Sequence, residues 1–115
     1  METPHITINE QPYPFYAGLA AIGEFCRIEG IGIGRYTLLI AQPHELDIQQ
    51  VATMGWAAVK HGHRRENKEF SLSLFEFMDL IEPDDTVLTQ ILTEYGLAST
   101  VEEPDSEKKP QEVAK

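Results

Sequence analysis

His61 and His63 lie in the segment Lys60-His61-Gly62-His63-Arg64-Arg65, with Lys68 close behind. Three kinds of chemistry fit those residue types. A His-x-His pair supplies two metal ligands, but zinc usually takes four, or three and a water. No nearby Cys-x-x-Cys or His-Glu-x-x-His completes such a set. Cations near a helix C-terminus offset the negative end of its dipole, worth about 0.3–1 kcal/mol. The third reading is a charged protein contact, with Trp56, Lys60, His61, His63, Arg64, Arg65 and Lys68 as the candidate interface residues. A helix end comes first among these readings and a protein contact second. Four cations on an acidic domain are too few to argue for nucleic acid.

Other reactive residue types resolve more simply. Glu76, Asp79, Glu82, Asp84 and Asp85 lack the Asp-x-Asp-x-Asp-Gly order of a calcium loop and read as a solvated helix surface leading to an N-cap. Cys26 falls on the apolar face of an expected helix and reads as a small buried hydrophobe. Gly30-Ile31-Gly32-Ile33-Gly34 follows a helix, and no Lys-Ser/Thr comes after it. It reads as a flexible connection instead of a phosphate loop. Nothing assembles a nucleophile, a base and an orienting group. No enzyme activity and no cofactor are expected.

The bulk numbers agree with a small interaction protein. The chain has 115 residues, a net charge of −10 and 42% apolar residues. One domain is expected over residues 1–98, with a disordered acidic tail over 99–115. The charge disfavours nucleic acid or an anionic membrane as a partner for the whole molecule. The single cysteine excludes an internal disulfide and suits a reducing compartment. No apolar run approaches the roughly 20 residues of a membrane span. A cytoplasmic, soluble protein is the expectation. The cations Lys60, Arg64, Arg65 and Lys68 are followed by acidic residues with no basic one from Glu69 to Glu107. Such polarity suits head-to-tail contacts between copies, or a separate acidic or amphipathic partner.

The elements that must position these residues are mainly helical. His5–Ile8 alternates like a strand, Asn9–Pro12 is turn-like, and Tyr13–Phe15 returns as an edge strand. A first helix is expected from Tyr16 to Glu29, with Leu19, Ile22, Phe25 and Cys26 on its buried face and Gly30 as its left-handed stop. Tyr36–Ala41 is ambiguous between strand and short helix. Asp47-Ile48-Gln49-Gln50 is a capping box. It opens a helix with the stripe Ile48, Val51, Ala52, Gly55, Trp56 and Val59, ending near His61-Gly62. Ser73-Leu74-Phe75-Glu76 is a second capping box, leading the stripe Leu74, Phe77, Met78 and Ile81 up to Pro83. Asp84 or Asp85 caps a last helix lined by Val87, Leu88, Ile91, Leu92 and Tyr95. Gly96-Leu97 closes it in a Schellman ending. The fold class is mainly α: a small domain of about four helices with a short N-terminal β-hairpin.

That order of elements resembles the small tail assembly chaperones of long-tailed bacteriophages. The likeness runs over about residues 5–97. It is carried by "HITINEQPYPF", "YAGLAAIGEFCRIEG", "DIQQVATMGWAAVKHGHRREN" and "FSLSLFEFMDLIEPDD". Trp56, Ala57, Val59 and His61 occupy its most recognisable stretch, with Ser73 and Leu74 at the next helix start. Gly30–Gly34 does not match the pattern. The resemblance implies a non-enzymatic protein that binds the tape measure protein and keeps it soluble during tail building. It also implies self-association, residence in the cytoplasm of the bacterial host and absence from the mature virion. A longer form made by a minus-one ribosomal frameshift would reach the tail tube protein. Glu107-Lys108-Lys109 can be encoded with the slippery run A AAA AAG. Two other readings compete: a small phage or bacterial adaptor or regulator with one folded partner, and a metal-dependent enzyme using His61, His63 and acidic residues.

Overall fold

A hairpin opens the chain and helices follow it. The computed structural model describes residues 3–97. Strands β1 (His5–Ile8) and β2 (Gln11–Pro14) pair antiparallel, with Ile6 opposite Tyr13 and Ile8 opposite Gln11. Helices α1 (Leu19–Glu29), α2 (Ile33–Ala41), α3 (Ile48–Arg65), α4 (Leu74–Ile81) and α5 (Val87–Glu94) follow, with a 3₁₀ turn at Pro43–Glu45. The class is mainly helical with an N-terminal hairpin, as expected. Among the described residues there are five α-helices instead of about four, because the ambiguous segment is helical. The tail expected to be disordered lies outside the described residues, as does Glu107-Lys108-Lys109.

The hairpin turn is shorter than expected. Asn9 (φ 51°) and Glu10 (φ 70°) are both left-handed, the pattern of a two-residue hairpin turn that matches strand twist. Gln11 and Pro12 therefore belong to β2. A lone hairpin is barely stable, and this one is tied down. The Gln90 side chain accepts from Thr7 N–H at 2.8 Å and donates to Thr7 C=O at 2.7 Å, pairing the edge of β1 as a strand would. Asn9 N–H donates to Asp84 Oδ2 at 2.8 Å, and its amide to Leu80 C=O at 2.9 Å.

Both capping boxes form. Asp47 accepts from Gln50 N–H while Gln50 accepts from Asp47 N–H. Ser73 and Glu76 reciprocate in the same way. Gly96 (φ 81°) closes α5 with Leu97 N–H donating to Leu92 C=O at 2.7 Å, the Schellman bond. Gly30 (φ 71°) closes α1 with Ile31 N–H donating to Cys26 C=O at 3.0 Å.

Four expectations need correction. The N-cap of α5 is Thr86, and Asp84 accepts from its N–H and hydroxyl from outside the helix. Helix α1 begins at Leu19, three residues late, because Tyr16 N–H donates to Ala58 C=O of α3 and holds Tyr16 out of the helix. Its buried face is Ala21, Glu24, Phe25 and Cys26, and Leu19 is 88% exposed. Gly30–Gly34 is no loose linker. Gly30 ends one helix, and Gly32 is the N-cap of the next.

Helix α3 is the axis of the core. It packs against α1, α4, α5 and β2. Val51, Ala52, Thr53, Met54, Gly55, Ala57, Ala58, Val59 and Gly62 are all buried, so burial extends nearly around the helix instead of along one stripe. A helix surrounded this way reads as buried all round. Ile48, expected in the stripe, is 68% exposed beyond the covered portion. The Tyr95 hydroxyl donates to Met54 C=O at 2.8 Å, and burial drives that phenol far above its usual pKa. Thr53, fully buried, returns its hydroxyl to Gln49 C=O at 2.8 Å.

Two glycines let neighbours reach α3. A Cβ on Gly62 would stand 2.5 Å from the Pro14 carbonyl carbon and 2.5 Å from Phe15 N. A Cβ on Gly55 would meet the Ile91 side chain at 2.3 Å. Ala outranks Gly in helix propensity by about 1 kcal/mol, yet Gly62→Ala is expected to destabilise by about 1–3 kcal/mol through overpacking against backbone. Gly23→Ala on α1, where nothing lies within 4 Å, is expected to stabilise by about 0.5–1 kcal/mol. Urea unfolding of the two variants checks the opposite signs.

Candidate functional site

The histidine–arginine segment ends helix α3, as expected, with His63, Arg64 and Arg65 in the last turn, but the end falls at Arg65 and not near His61-Gly62. Residues two apart on a helix point about 200° away from each other. His61 and His63 therefore face opposite sides and do not converge. His61 Nε2 meets Glu24 Oε1 of α1 at 2.8 Å, whereas His63 Nδ1 donates to Val59 C=O at 2.8 Å. The His63 ring sits 5.0 Å from Phe70 and 6.3 Å from Tyr13, centroid to centroid. Among the described residues, no group of three or more His, Cys, Asp or Glu is arranged to hold a metal ion.

Glu24 gathers the cations. Its side chain is only 8% exposed. Lys60 Nζ reaches its Oε2 at 2.8 Å and Arg27 reaches the same oxygen at 3.4 Å. Burial alone would raise the Glu24 pKa. The hydrogen bonds and charges of Lys60 and His61 outweigh it and hold the carboxyl below its ordinary value. Arg64 Nε donates to His61 Nδ1 at 3.2 Å. Arginine has no acceptor, so when neutral His61 is the Nε2–H tautomer and donates to Glu24. The result is a relay from Arg64 through His61 to a buried carboxylate, locking α1 to α3. Its chemistry is structural: every donor aimed at Glu24 is matched, and its carboxylate faces away from solvent.

The other candidate residues are engaged nearby. Arg65 lies 4.0 Å from the centroid of the Tyr16 ring, and Lys60 lies 4.9 Å above Trp56. Trp56 is half-buried, and its indole N–H donates to Leu72 C=O at 2.9 Å, pinning the loop before α4. Lys68 pairs with Glu66 at 3.1 Å, and His5 meets the other oxygen of Glu66 at 3.5 Å. The structure thus joins Lys60, His61 and Arg64, sends His63 and Arg65 to other neighbours, and leaves Lys68 beyond the helix. Glu24 was missed by sequence reasoning. Its signal was a carboxylate one residue before Phe25 on the buried face of a small-residue helix.

A second feature was also missed. An open groove of about 490 Å³ lies where the start of α3 meets α4 and α5. Ile48, Ala52, Phe75, Met78 and Leu88 make its apolar surface. Asp79, Glu82, Asp84 and Asp85 rim it. The acidic residues are solvated, as the sequence suggested, but they border exposed apolar side chains. Phe75, outside the α4 stripe, is 69% exposed.

No protein-family model, no curated protein and no solved structure matches the chain. None of the helices among the described residues is long and apolar enough to cross a membrane.

Glu24→Gln removes the charge while keeping shape, and is expected to destabilise by about 1.5–3 kcal/mol at neutral pH, the range for hydrogen bonds to charged groups. The folded-state pKa of Glu24 is depressed. Its stabilisation is present above the unfolded-state value and is lost as pH falls through the folded one. Chemical unfolding at a series of pH values should show the wild-type advantage shrinking to nothing on the acid side of the ordinary glutamate range.

Proposed function

We propose that this protein is a tail assembly chaperone of a long-tailed bacteriophage. In this reading it binds the tape measure protein, keeps that chain soluble while the tail is built, and performs no catalysis. The observation that carries a binding role is apolar surface left open on an acidic protein. Leu19 (88%), Ile33 (66%), Leu38 (65%), Ile48 (68%) and Phe75 (69%) are all exposed. Of these, Ile48 and Phe75 share the groove with Met78 and Leu88, and contiguous exposed apolar surface rimmed by polar groups marks an interaction site. The small-residue Trp56-Ala57-Ala58-Val59 segment and the Ser73-Leu74 helix start supply the resemblance that names the client.

The same reading includes self-association, a cytoplasmic site of action in the bacterial host and absence from the finished virion. A longer frameshifted form would carry the contact to the tail tube protein. The charged segment around Lys60–Lys68 holds the fold in this account, and the client meets the exposed apolar surfaces.

Co-expression with the tape measure protein of the same phage is expected to move that protein into the soluble fraction, with several copies of this chain bound to each client. A client that stays insoluble and does not co-purify would overturn the reading, and one copy per folded partner would favour an adaptor instead. Intact-mass analysis of the native gene expressed with its downstream DNA is expected to show a minor longer product sharing this N-terminus.

A further inference from the structure

The groove between α3, α4 and α5 is negatively charged without compensation. The five ion pairs among the described residues all close on Glu24 or Glu66. None reaches Asp79, Glu82 or Asp85. Asp84 is held by Asn9 and Thr86, which bring hydrogen bonds but no charge. An apolar floor between unneutralised carboxylates fits a helix with an apolar face and a cation at its edge. It fits an isolated small molecule poorly, because the polar side chains that line it are all carboxylates and the groove is open.

This chain carries such a helix. Tyr36 is the buried residue of α2, set against Phe25 at 5.9 Å between ring centroids, with Leu39 and Ile40 half-buried. At 100° per residue, Gly34, Thr37, Leu38 and Ala41 fall on the opposite side, and all are exposed. Leu38 is the one large apolar side chain among the small residues of that face, and exposed Ile33 lies nearer the buried side, three residues before Tyr36. Arg35 lies at its edge and forms no ion pair among the described residues. Helix α2 (IGRYTLLIA) has no acidic residue. Its unpartnered face therefore complements the groove in both hydrophobicity and charge.

We infer that the exposed face of α2 in one copy of this protein docks in the α3–α4–α5 groove of another, with Leu38 against Phe75, Leu88 and Ile48, and Arg35 beside the carboxylate rim. The two surfaces are different, so the contact is heterologous and can be repeated from copy to copy. This inference rests on the self-association in the function proposed above and is independent of the client.

Sedimentation over a wide concentration range tests it. Wild type is expected to associate increasingly with concentration. Leu38→Glu and Phe75→Glu change exposed side chains, so both should keep the wild-type circular dichroism spectrum. Each should weaken association at least about tenfold, as loss of a central apolar anchor does. Arg35→Glu should weaken it too, and Arg35→Lys less. The decisive arm is a mixture. Leu38→Glu retains an intact groove and Phe75→Glu an intact α2. Together they should form a one-to-one pair that grows no further. Variants that associate as wild type does, or a mixture that stays monomeric, would overturn this pairing while leaving self-association standing. A monomeric wild type would overturn both. A lysine-flanked leucine helix that shifts the Phe75 and Leu88 resonances of a monomeric wild type would assign the groove to a foreign helix. None of these results bears on tape measure binding, which the co-expression experiment decides separately.

Discussion

The fold depends on α3 being thin. A helix contacted by α1, α4, α5 and a strand needs side chains small enough for all of them to approach. Gly55, Ala57, Ala58 and Gly62 meet that need over little more than two turns. At Gly62 the Pro14 backbone comes so near that no side chain fits. One turn back, Tyr16 N–H bonds to the Ala58 carbonyl at 2.9 Å. Volume that α3 does not supply comes from its neighbours. Phe15, Phe25, Phe77 and Ile91 are all fully buried. The small-residue segment is therefore first a packing device. The same constraint explains why α1 starts late: the chain must lie along α3 as extended backbone before it can coil.

What was legible in the residues was local. The capping boxes at Asp47/Gln50 and Ser73/Glu76 and the Gly96-Leu97 ending are hydrogen-bond patterns closed within a few residues, so residue type and spacing suffice to find them. Periodicity located α3, α4 and α5. It failed where a helix has more than one buried side or a partly covered end. The stripe rule included Ile48 and Leu19, which are exposed, and did not anticipate buried Thr53, Met54 and Ala57. The end of α3 was misplaced at His61-Gly62 because a glycine there reads as a stop, whereas it is a point of close approach. Glu24 was illegible for a different reason. Its partners Lys60 and His61 stand 36 and 37 positions away, and only the packing of α1 on α3 brings them together.

The hairpin follows the same division. Its alternation was readable, but its anchors were not. Gln90 bonds to Thr7 across 83 positions, and Asp84 to Asn9 across 75. These bonds tie the first strand and its turn to α5 and the turn before it. Asp84 is only half-buried, and hydrogen bonds from the Thr86 hydroxyl, then from Asn9 N–H and Thr86 N–H, hold its carboxyl below the usual range. A residue that reads from sequence as a helix cap thus serves as a junction between the two ends of the domain.

Charge density is a poor guide to interfaces here, and the two regions flanking α3 show why. Near its C-terminal end the cations are dense but satisfied: Lys60 on Glu24, Arg64 on His61, Arg65 over Tyr16 and Lys68 on Glu66. A partner docking there would have to break contacts already made, and truncating a partner of buried Glu24 would leave a charge in low dielectric. Near the N-terminal end Asp79, Glu82 and Asp85 enter no ion pair among the described residues. Ile48 has lost the covering that protects the rest of the helix, and the carboxylates beside it face no cation among the described residues. Binding adds most where groups have least to give up. The surface to examine for partners is therefore the one the core leaves unfinished, at Ile48, Phe75 and the face of α2.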